Sequence, residues 1–214
     1  MKWLKNVFTI FVSPVETFQR VKESKAAWII PLAVTMLLSI VTVFLQLSLM
    51  EKDIVDKLLE QQTDPATMDA VIRISQISGI IMAFLMSAAG IFLMGLLLLL
   101  LNLVVRGSAK YMQLVTVAAF AALPTSINGL LTSLMLKFTD AQSLNDVSLS
   151  LGAFVSDKAS LMYRVLSFIN PFGIWGIIMY VVGAAIMMGR PRKVVGKWII
   201  GAWLIISVGS LLIL

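Results

Sequence analysis

Cysteine and histidine are both absent from this sequence. Without cysteine the chain can form no disulfide, and it offers no thiol nucleophile and no thiolate ligand for a metal. Without histidine it has no imidazole to serve as a general base or as a haem or zinc ligand. Charged residues make up only 13% of the chain, against about 25% in a typical soluble domain, and hydrophobic residues make up 59%. The composition excludes a soluble globular protein and predicts a membrane protein.

The sequence contains five long stretches without charged residues. About 20 helical residues cross the roughly 30 Å hydrocarbon core of a bilayer, so each stretch predicts one crossing. The pair Asn170-Pro171 should end one helix and begin the next, which delays the fourth crossing to residue 171. The fold class is therefore all-α, a polytopic membrane protein with five transmembrane helices. The predicted spans are approximately 26–50, 76–105, 111–136, 171–189 and 198–214, within one transmembrane domain over residues 26–214.

The distribution of positive charge predicts the orientation of these helices. Eleven of the 17 lysines and arginines lie in the N-terminal segment and in the second and fourth loops, and six lie in the first and third loops. Loops rich in lysine and arginine stay in the cytoplasm, so we expect the N-terminus inside and the C-terminus outside. A net charge of +6 can indicate a nucleic acid partner. Here the lysines and arginines lie beside the apolar stretches, which is the pattern that sets membrane orientation, so we expect no nucleic acid partner.

Residues 1–25 are predicted to form cytoplasmic interfacial helices that are amphipathic. Apolar side chains recur at helical spacing between Trp3 and Val12, with polar ones elsewhere. The sequence Ser13-Pro14-Val15-Glu16 is typical of a capping box that starts a second short helix. The apolar side chains either lie on the bilayer or dock a partner protein, and both interpretations stay open. The residues expected to make this contact are Trp3, Phe8, Phe11, Pro14 and Phe18.

Small residues at four-residue spacing predict close helix packing in the second and fourth spans. Such residues let two helix backbones approach each other in lipid. The pattern serves either packing within the five-helix bundle or a seam between two copies of the chain. The positions concerned are Ser75, Gly79, Ala83 and Ser87 in the second span and Gly173, Gly176 and Gly183 in the fourth.

The third span is interrupted near its middle by Pro124, which Thr125, Ser126 and Asn128 follow closely. Proline frees a backbone carbonyl within the membrane, and neighbouring hydroxyl groups commonly satisfy it. This predicts a kink lined by polar groups. Broken helices at this depth also form the binding sites of transporters, so a polar path for a solute is the alternative. The amides of Gln46, Gln76 and Asn102 are interpreted as hydrogen-bonding groups between helices.

The two outer loops are predicted to carry additional helix. The first span should continue outward as an amphipathic helix, and Asp64-Pro65 should begin the helix that leads into the second span. These two would form a hairpin outside the membrane. A further interfacial helix is expected from Lys158 to Phe168.

The five spans contain no aspartate, glutamate, lysine or arginine. Ionisable groups within a membrane usually mark proton relays, ion pathways or catalysis, because burying them is costly. The chain also has no Gly-Lys-Ser/Thr phosphate-binding loop. We therefore expect no enzymatic activity, no cofactor and no metal site.

Several short motifs, taken in order, resemble the Yip family of five-span membrane proteins, which is named for interaction with Ypt/Rab GTPases. The motifs are Ser13-Pro14-Val15-Glu16-Thr17-Phe18, Tyr111, Ala121-Ala122-Leu123-Pro124, Asn170-Pro171-Phe172-Gly173-Ile174-Trp175, Gly183, and Gly189 with the basic turn from Arg190 to Lys193. The resemblance extends through most of the chain and implies the same number of spans and the same orientation. Eukaryotic members carry a long soluble region before the first span, with which Rab contacts are associated. Only about 25 residues precede the first span here, so Rab binding is not carried over.

The short form is similar to the bacterial branch of that family, some members of which accompany ABC-type export systems. The resemblance thus implies a non-enzymatic accessory or scaffold protein in a bacterial cell membrane, with a Golgi or endoplasmic reticulum membrane as the less favoured location. Its expected partners are the lipid bilayer and another integral membrane protein or complex, with a homo-oligomer as a further alternative. A permease or channel for a small neutral solute or lipid, and a membrane-shaping protein, are the competing functions.

Overall fold

The computed structural model describes residues 2–61, 63–139 and 141–213, together with their side chains except those of residues 2, 3, 65, 66, 212 and 213. The described part of the chain contains helices and connecting loops and no strand. The α-helices are α1 (Lys2–Val12), α2 (Pro14–Val21), α3 (Ile29–Glu60), α4 (Pro65–Val104), α5 (Tyr111–Phe138), α6 (Leu161–Ser167), α7 (Pro171–Met188) and α8 (Arg192–Ile213), with one 3₁₀ turn at Leu151–Phe154. Five of them, α3, α4, α5, α7 and α8, are long and apolar enough to cross a membrane. The predicted all-α, five-span fold is confirmed.

Helix α5 occupies the centre of the bundle. It packs against α3, α4 and α7, while α7 in turn packs against α2 and α8. The half of α5 from Leu114 to Pro124 is almost entirely buried, and so is the second half of α7. Helices α4 and α8 expose many large apolar side chains at the periphery. This is the arrangement expected where lipid tails, which are as apolar as leucine, surround the outer helices.

The predicted outer hairpin is present. Helix α3 continues to Glu60, and α4 begins at Pro65, with Asp64 in the N-cap position. At about 1.5 Å per residue the two helices reach roughly 48 and 60 Å, well beyond the thickness of the hydrocarbon core. The Gln76 side chain joins them by donating a hydrogen bond of 2.9 Å to Glu51.

One predicted helix cap and one predicted helix start differ from the structure. Proline occupies the first turn of α2 as expected, but the Ser13 side chain makes no capping hydrogen bond, so the predicted capping box is not formed. The Ser13 carbonyl instead accepts the Thr17 amide, which continues the hydrogen-bond pattern from the end of α1. Helix α6 begins at Leu161 rather than Lys158, because the Ser160 hydroxyl caps it by accepting the Tyr163 amide.

A turn around Asp146 shapes the loop between α5 and α6. Its carboxylate accepts the backbone amides of Gln142 and Ser143 at 2.7 and 3.0 Å, and Lys158 lies 3.4 Å away. Hydrogen bonds from the two amides, reinforced by the lysine, hold the pKa of Asp146 below its usual range. These contacts persist above the ordinary pKa of a carboxyl group and weaken only as the pH falls through the lowered value.

Candidate functional site

The N-terminal helices are folded back onto the transmembrane bundle. One side of α1, with Asn6, Val7 and Ile10, is buried, and Leu4, Phe8 and Val12 are exposed on another side. Arg20 donates a 2.8 Å hydrogen bond to the Asn6 side chain, which fixes α1 to α2. The sequence pattern predicted a single apolar face, with the polar residues, among them Asn6, elsewhere on the helix. The structure shows two apolar faces on α1. One packs on the transmembrane bundle, and the other is exposed.

Phe18 corrects the prediction for the contact residues. Its side chain is 0% exposed and packs edge-to-face on Phe120, with ring centroids 5.9 Å apart. The ring also lies directly over Gly183 of α7, where the missing side chain makes room for it. Phe18 therefore contacts neither lipid nor a partner but anchors α2 between α5 and α7. This contact was missed because helical periodicity identifies an apolar face without identifying its neighbour.

The other predicted contact residues have different surroundings. Phe8 is 73% exposed, whereas Phe11 is partly buried and packs against the core. Pro14 is partly buried at the start of α2. The side chain of Trp3 lies outside the described residues. Among the predicted contact residues whose side chains the structure describes, Phe8 is therefore the one exposed for contact with lipid or a partner.

The small residues of α4 face α3. A side chain on Gly79 would meet the Met50 Cε at 3.5 Å and the Val43 Cγ1 at 3.9 Å, which are ordinary contact distances. Ser75, Ala83 and Ser87 are partly buried, like Gly79. Gly79 therefore packs against α3 at ordinary contact distances, while all four residues keep part of their surface exposed.

The tightest helix approaches involve different glycines. A Cβ on Gly176 would lie 3.1 Å from the Ala121 carbonyl oxygen, so α5 and α7 meet closely there. Among the described residues, a Cβ on Gly173 would have only the Asn170 Cβ within 4 Å, at 3.8 Å. Gly95 was missed, although a Cβ there would lie 2.7 Å from the Val115 side chain. Its signal in the sequence is a lone glycine before a run of leucines.

Pro124 and the hydroxyl groups that follow it adjoin a cleft between the transmembrane helices. Pro124 lies within α5 and is buried, while Thr125 is exposed and Ser126 is partly buried. Two adjoining cavities of about 450 and 430 Å³ reach these hydroxyl groups and share Ser39 and Ser87. We call this space, together with its lining, the central cleft. Its lining comes from α3, α4, α5, α7 and α8.

Three of the hydroxyl groups that line the central cleft, those of Ser39, Ser87 and Ser126, donate to a carbonyl of their own helix. Ser39 donates to the Thr35 carbonyl at 2.9 Å, and Ser126 donates to the Ala122 carbonyl at 3.1 Å. Thr35 differs, since it is 4% exposed and its hydroxyl oxygen has no partner in the described part of the chain. An unsatisfied buried polar group costs about 1–3 kcal/mol. Sequence reasoning missed Thr35, which stands in the apolar run after Pro31 without any distinguishing motif.

Asn128 is not part of the lining of these two cavities, contrary to its predicted place in the polar path. Its side-chain oxygen accepts a 3.0 Å hydrogen bond from Asn170. Asn170 also caps α7 by accepting the amides of Phe172 and Gly173. Asn128 therefore helps to hold the start of α7 against α5.

The lone amides of the spans mostly join helices, as predicted. Gln46 donates a 2.7 Å hydrogen bond to the Ser133 hydroxyl, which links α3 to α5. Asn102 differs, because it hydrogen-bonds both backbone groups of Ala109 and thereby closes the turn between α4 and α5. Among the described residues no three or more acidic side chains lie close enough together to hold a metal ion.

Comparison with known proteins agrees with the sequence resemblance. The family model of the Yip1 domain matches residues 8–214. The chain is also similar to the membrane protein YknW of Bacillus subtilis (strain 168). The two are 26% identical over 191 residues, which cover 88% of this chain and 80% of that protein. No solved structure matches the chain.

Proposed function

The chain belongs to the Yip1 domain family, and from this premise we propose that it is a non-enzymatic integral membrane accessory protein of a bacterial cell membrane. In this role it acts as a scaffold for another integral membrane protein or complex, such as an ABC-type exporter. The similarity to a bacterial membrane protein supports the location. The observation that carries the scaffold role is the exposed apolar side of α1.

Helix α1 is suited to docking because only one of its two apolar sides is used within the chain. Asn6, Val7 and Ile10 fix it to the bundle, so Leu4, Phe8 and Val12 are presented on a held helix rather than on a loose tail. A partner gains affinity when the surface it binds is already ordered, since less conformational entropy is lost. The bundle beneath α1 thus serves as its support.

Photo-crosslinking from Phe8 tests this role. A photoreactive phenylalanine analogue placed at position 8 should give one discrete crosslinked protein band in native membranes, identified by mass spectrometry. The matched control carries the same analogue at position 205 of α8, an apolar position that is as exposed as Phe8. Crosslinking of position 8 to lipid alone contradicts docking and favours a membrane-lying or membrane-shaping helix.

The central cleft favours a second candidate function, the binding or passage of a small neutral solute or lipid. Its support is the hydroxyl of Thr35, which has no partner in the described part of the chain, together with the exposed Thr125 beside Pro124. The cleft offers hydroxyl groups and apolar walls without any charged side chain in its lining. Such a lining suits an uncharged molecule, because an ion would need charged or multiple carbonyl ligands to replace its hydration shell.

Thiol labelling tests whether the central cleft is hydrated. The natural chain has no cysteine and therefore gives no background. A Thr125→Cys variant should react with a small, water-soluble methanethiosulfonate reagent, while Leu131→Cys, on an exposed apolar position of the same helix, should not. If neither position reacts in membranes, the cleft is dry and the solute pathway is contradicted.

A further inference from the structure

A cavity separate from the central cleft lies at the end of the bundle where α2 meets the turn between α7 and α8. Its volume is about 590 Å³, and its lining includes Lys22 and Gln19 from α2 and Arg190 and Arg192 from the turn. Ala185 and Ile186 of α7 form an apolar side of the same space. We call this cavity the basic groove.

The positive charge of the basic groove is not balanced by acidic side chains. No aspartate or glutamate is among its lining residues. None of its three cations is in a salt bridge with a described residue. The ion pair in the described part of the chain joins Lys158 to Asp146, which lie outside the groove. Arg190 and Arg192 are exposed, and Lys22 is partly buried. The groove therefore holds three cations that no carboxylate neutralises within the described part of the chain.

The basic groove is built on a fixed frame. The Lys22 carbonyl accepts a 2.8 Å hydrogen bond from Gln113 of α5, which ties the end of α2 to the bundle. Gly189 ends α7 in the left-handed conformation at φ 65°, and the Arg190 amide returns to the Ala185 carbonyl. The Arg190 side chain donates to the Arg106 carbonyl in the loop between α4 and α5. The cations are thus carried by backbone that other helices hold in place.

We infer that the basic groove binds the headgroup of an anionic phospholipid, with the phosphate among Lys22, Arg190 and Arg192. The apolar side at Ile186 then contacts the glycerol and upper acyl region, which a soluble phosphate does not have. The predicted orientation places this end of the bundle in the cytoplasmic leaflet, where anionic lipids attract basic groups at helix ends. This inference goes beyond the scaffold role and does not depend on it.

Lipid binding to the purified protein tests the site. Phosphatidylglycerol and phosphatidylcholine are titrated separately into the detergent-solubilised full chain, and bound lipid is counted by native mass spectrometry. The natural protein should retain phosphatidylglycerol in preference to phosphatidylcholine. A Lys22→Gln, Arg190→Gln, Arg192→Gln variant should bind phosphatidylglycerol about fivefold more weakly for each cation removed.

The matched control is a Lys25→Gln, Lys193→Gln, Lys197→Gln variant. It removes the same number of positive charges from exposed positions that are close to the groove in sequence but do not line it. It should keep the preference for phosphatidylglycerol. Because Arg190 also holds the Arg106 carbonyl, a Lys22→Gln, Arg192→Gln variant is measured too, and the thermal unfolding midpoint of every variant is compared.

Three outcomes overturn the inference. Equal losses in the groove variant and in the control variant show diffuse attraction rather than a site. Equal retention of the two lipids by the natural protein shows that charge does not select the ligand. Displacement of phosphatidylglycerol by millimolar inorganic phosphate shows that the groove takes free phosphate instead of a lipid.

Discussion

The pair formed by Phe18 and Gly183 shows how one missing side chain determines where a helix lies. The Phe18 ring occupies the space above α7 that any other residue at position 183 would fill. Burial of an aromatic side chain of this size contributes about 1.5–3 kcal/mol, and the edge-to-face contact with Phe120 adds to it. The attachment of α2, and through Arg20 of α1, therefore depends strongly on this glycine.

A Gly183→Ala variant should be destabilised. Its Cβ would lie 2.7 Å from the Phe18 Cζ and 2.9 Å from each Cε atom, so the ring or the helix must move. Overpacking of this kind costs about 1–3 kcal/mol, and a lower midpoint of thermal unfolding in detergent would show it. Combining it with Phe18→Leu should recover part of the loss.

Gly201→Ala is the matched control for this substitution. It lies in α8, where a Cβ would meet no atom within 4 Å. Alanine is the better helix former by about 0.5–1 kcal/mol, so this variant should be unchanged or slightly more stable. Equal destabilisation by the two substitutions would mean that the Phe18 contact is not what makes position 183 sensitive.

At the scale of helices, Asn170 does two things at the start of α7. It caps the helix through two backbone amides, and it reaches Asn128 of α5. Pro171 follows in the first turn, where its missing N–H needs no partner. The motif therefore determines both where α7 begins and which part of α5 it meets.

Asn170→Ala should lower stability by about 1–2 kcal/mol, because the cap is lost together with the bond to Asn128. Asn170→Asp should recover most of this loss, since a carboxylate also accepts the two amides and the Asn128 amide can turn to donate to it. Thermal unfolding of the three proteins in one detergent makes the comparison. An aspartate variant as unstable as the alanine variant would exclude the cap as the source of the effect.

The positions of the helices in the sequence were largely predictable, whereas the contacts between helices were not. Hydrophobic length and the Asp64-Pro65 and Asn170-Pro171 signals placed the five long helices and the outer hairpin, because these features act within one segment. The burial of Phe18 and the closeness of Gly95 to Val115 depend on contacts between segments far apart in the chain. The same reason explains Thr35, whose unpartnered hydroxyl becomes notable only when α5, with Ser126, packs beside α3.

At the scale of the whole molecule, the two ends of the bundle differ in construction. At the end predicted to be cytoplasmic, α1, α2 and the short turn between α7 and α8 pack closely on the spans. The other end carries the connection between the long helices α3 and α4 and the loop from 141 to 160. Eleven lysines and arginines lie at the first end and six at the second. The compact end is thus also the basic one.

The orientation of the chain can be measured with two single-cysteine variants on a background free of cysteine. Phe154→Cys replaces a side chain that is 85% exposed in the loop before α6, and Lys193→Cys replaces an exposed one near the start of α8. In intact cells a membrane-impermeant maleimide should label only the first, and after permeabilisation it should label both.

The reason for this expectation is that positive loops are retained in the cytoplasm during insertion. Labelling of Lys193→Cys alone in intact cells would show an inverted chain. The basic groove would then open to the outer leaflet, away from the negative surface potential of the cytoplasmic one, and the exposed side of α1 would face outward. Orientation is therefore the measurement on which both the docking surface of α1 and the lipid site depend, and it is independent of any partner or ligand.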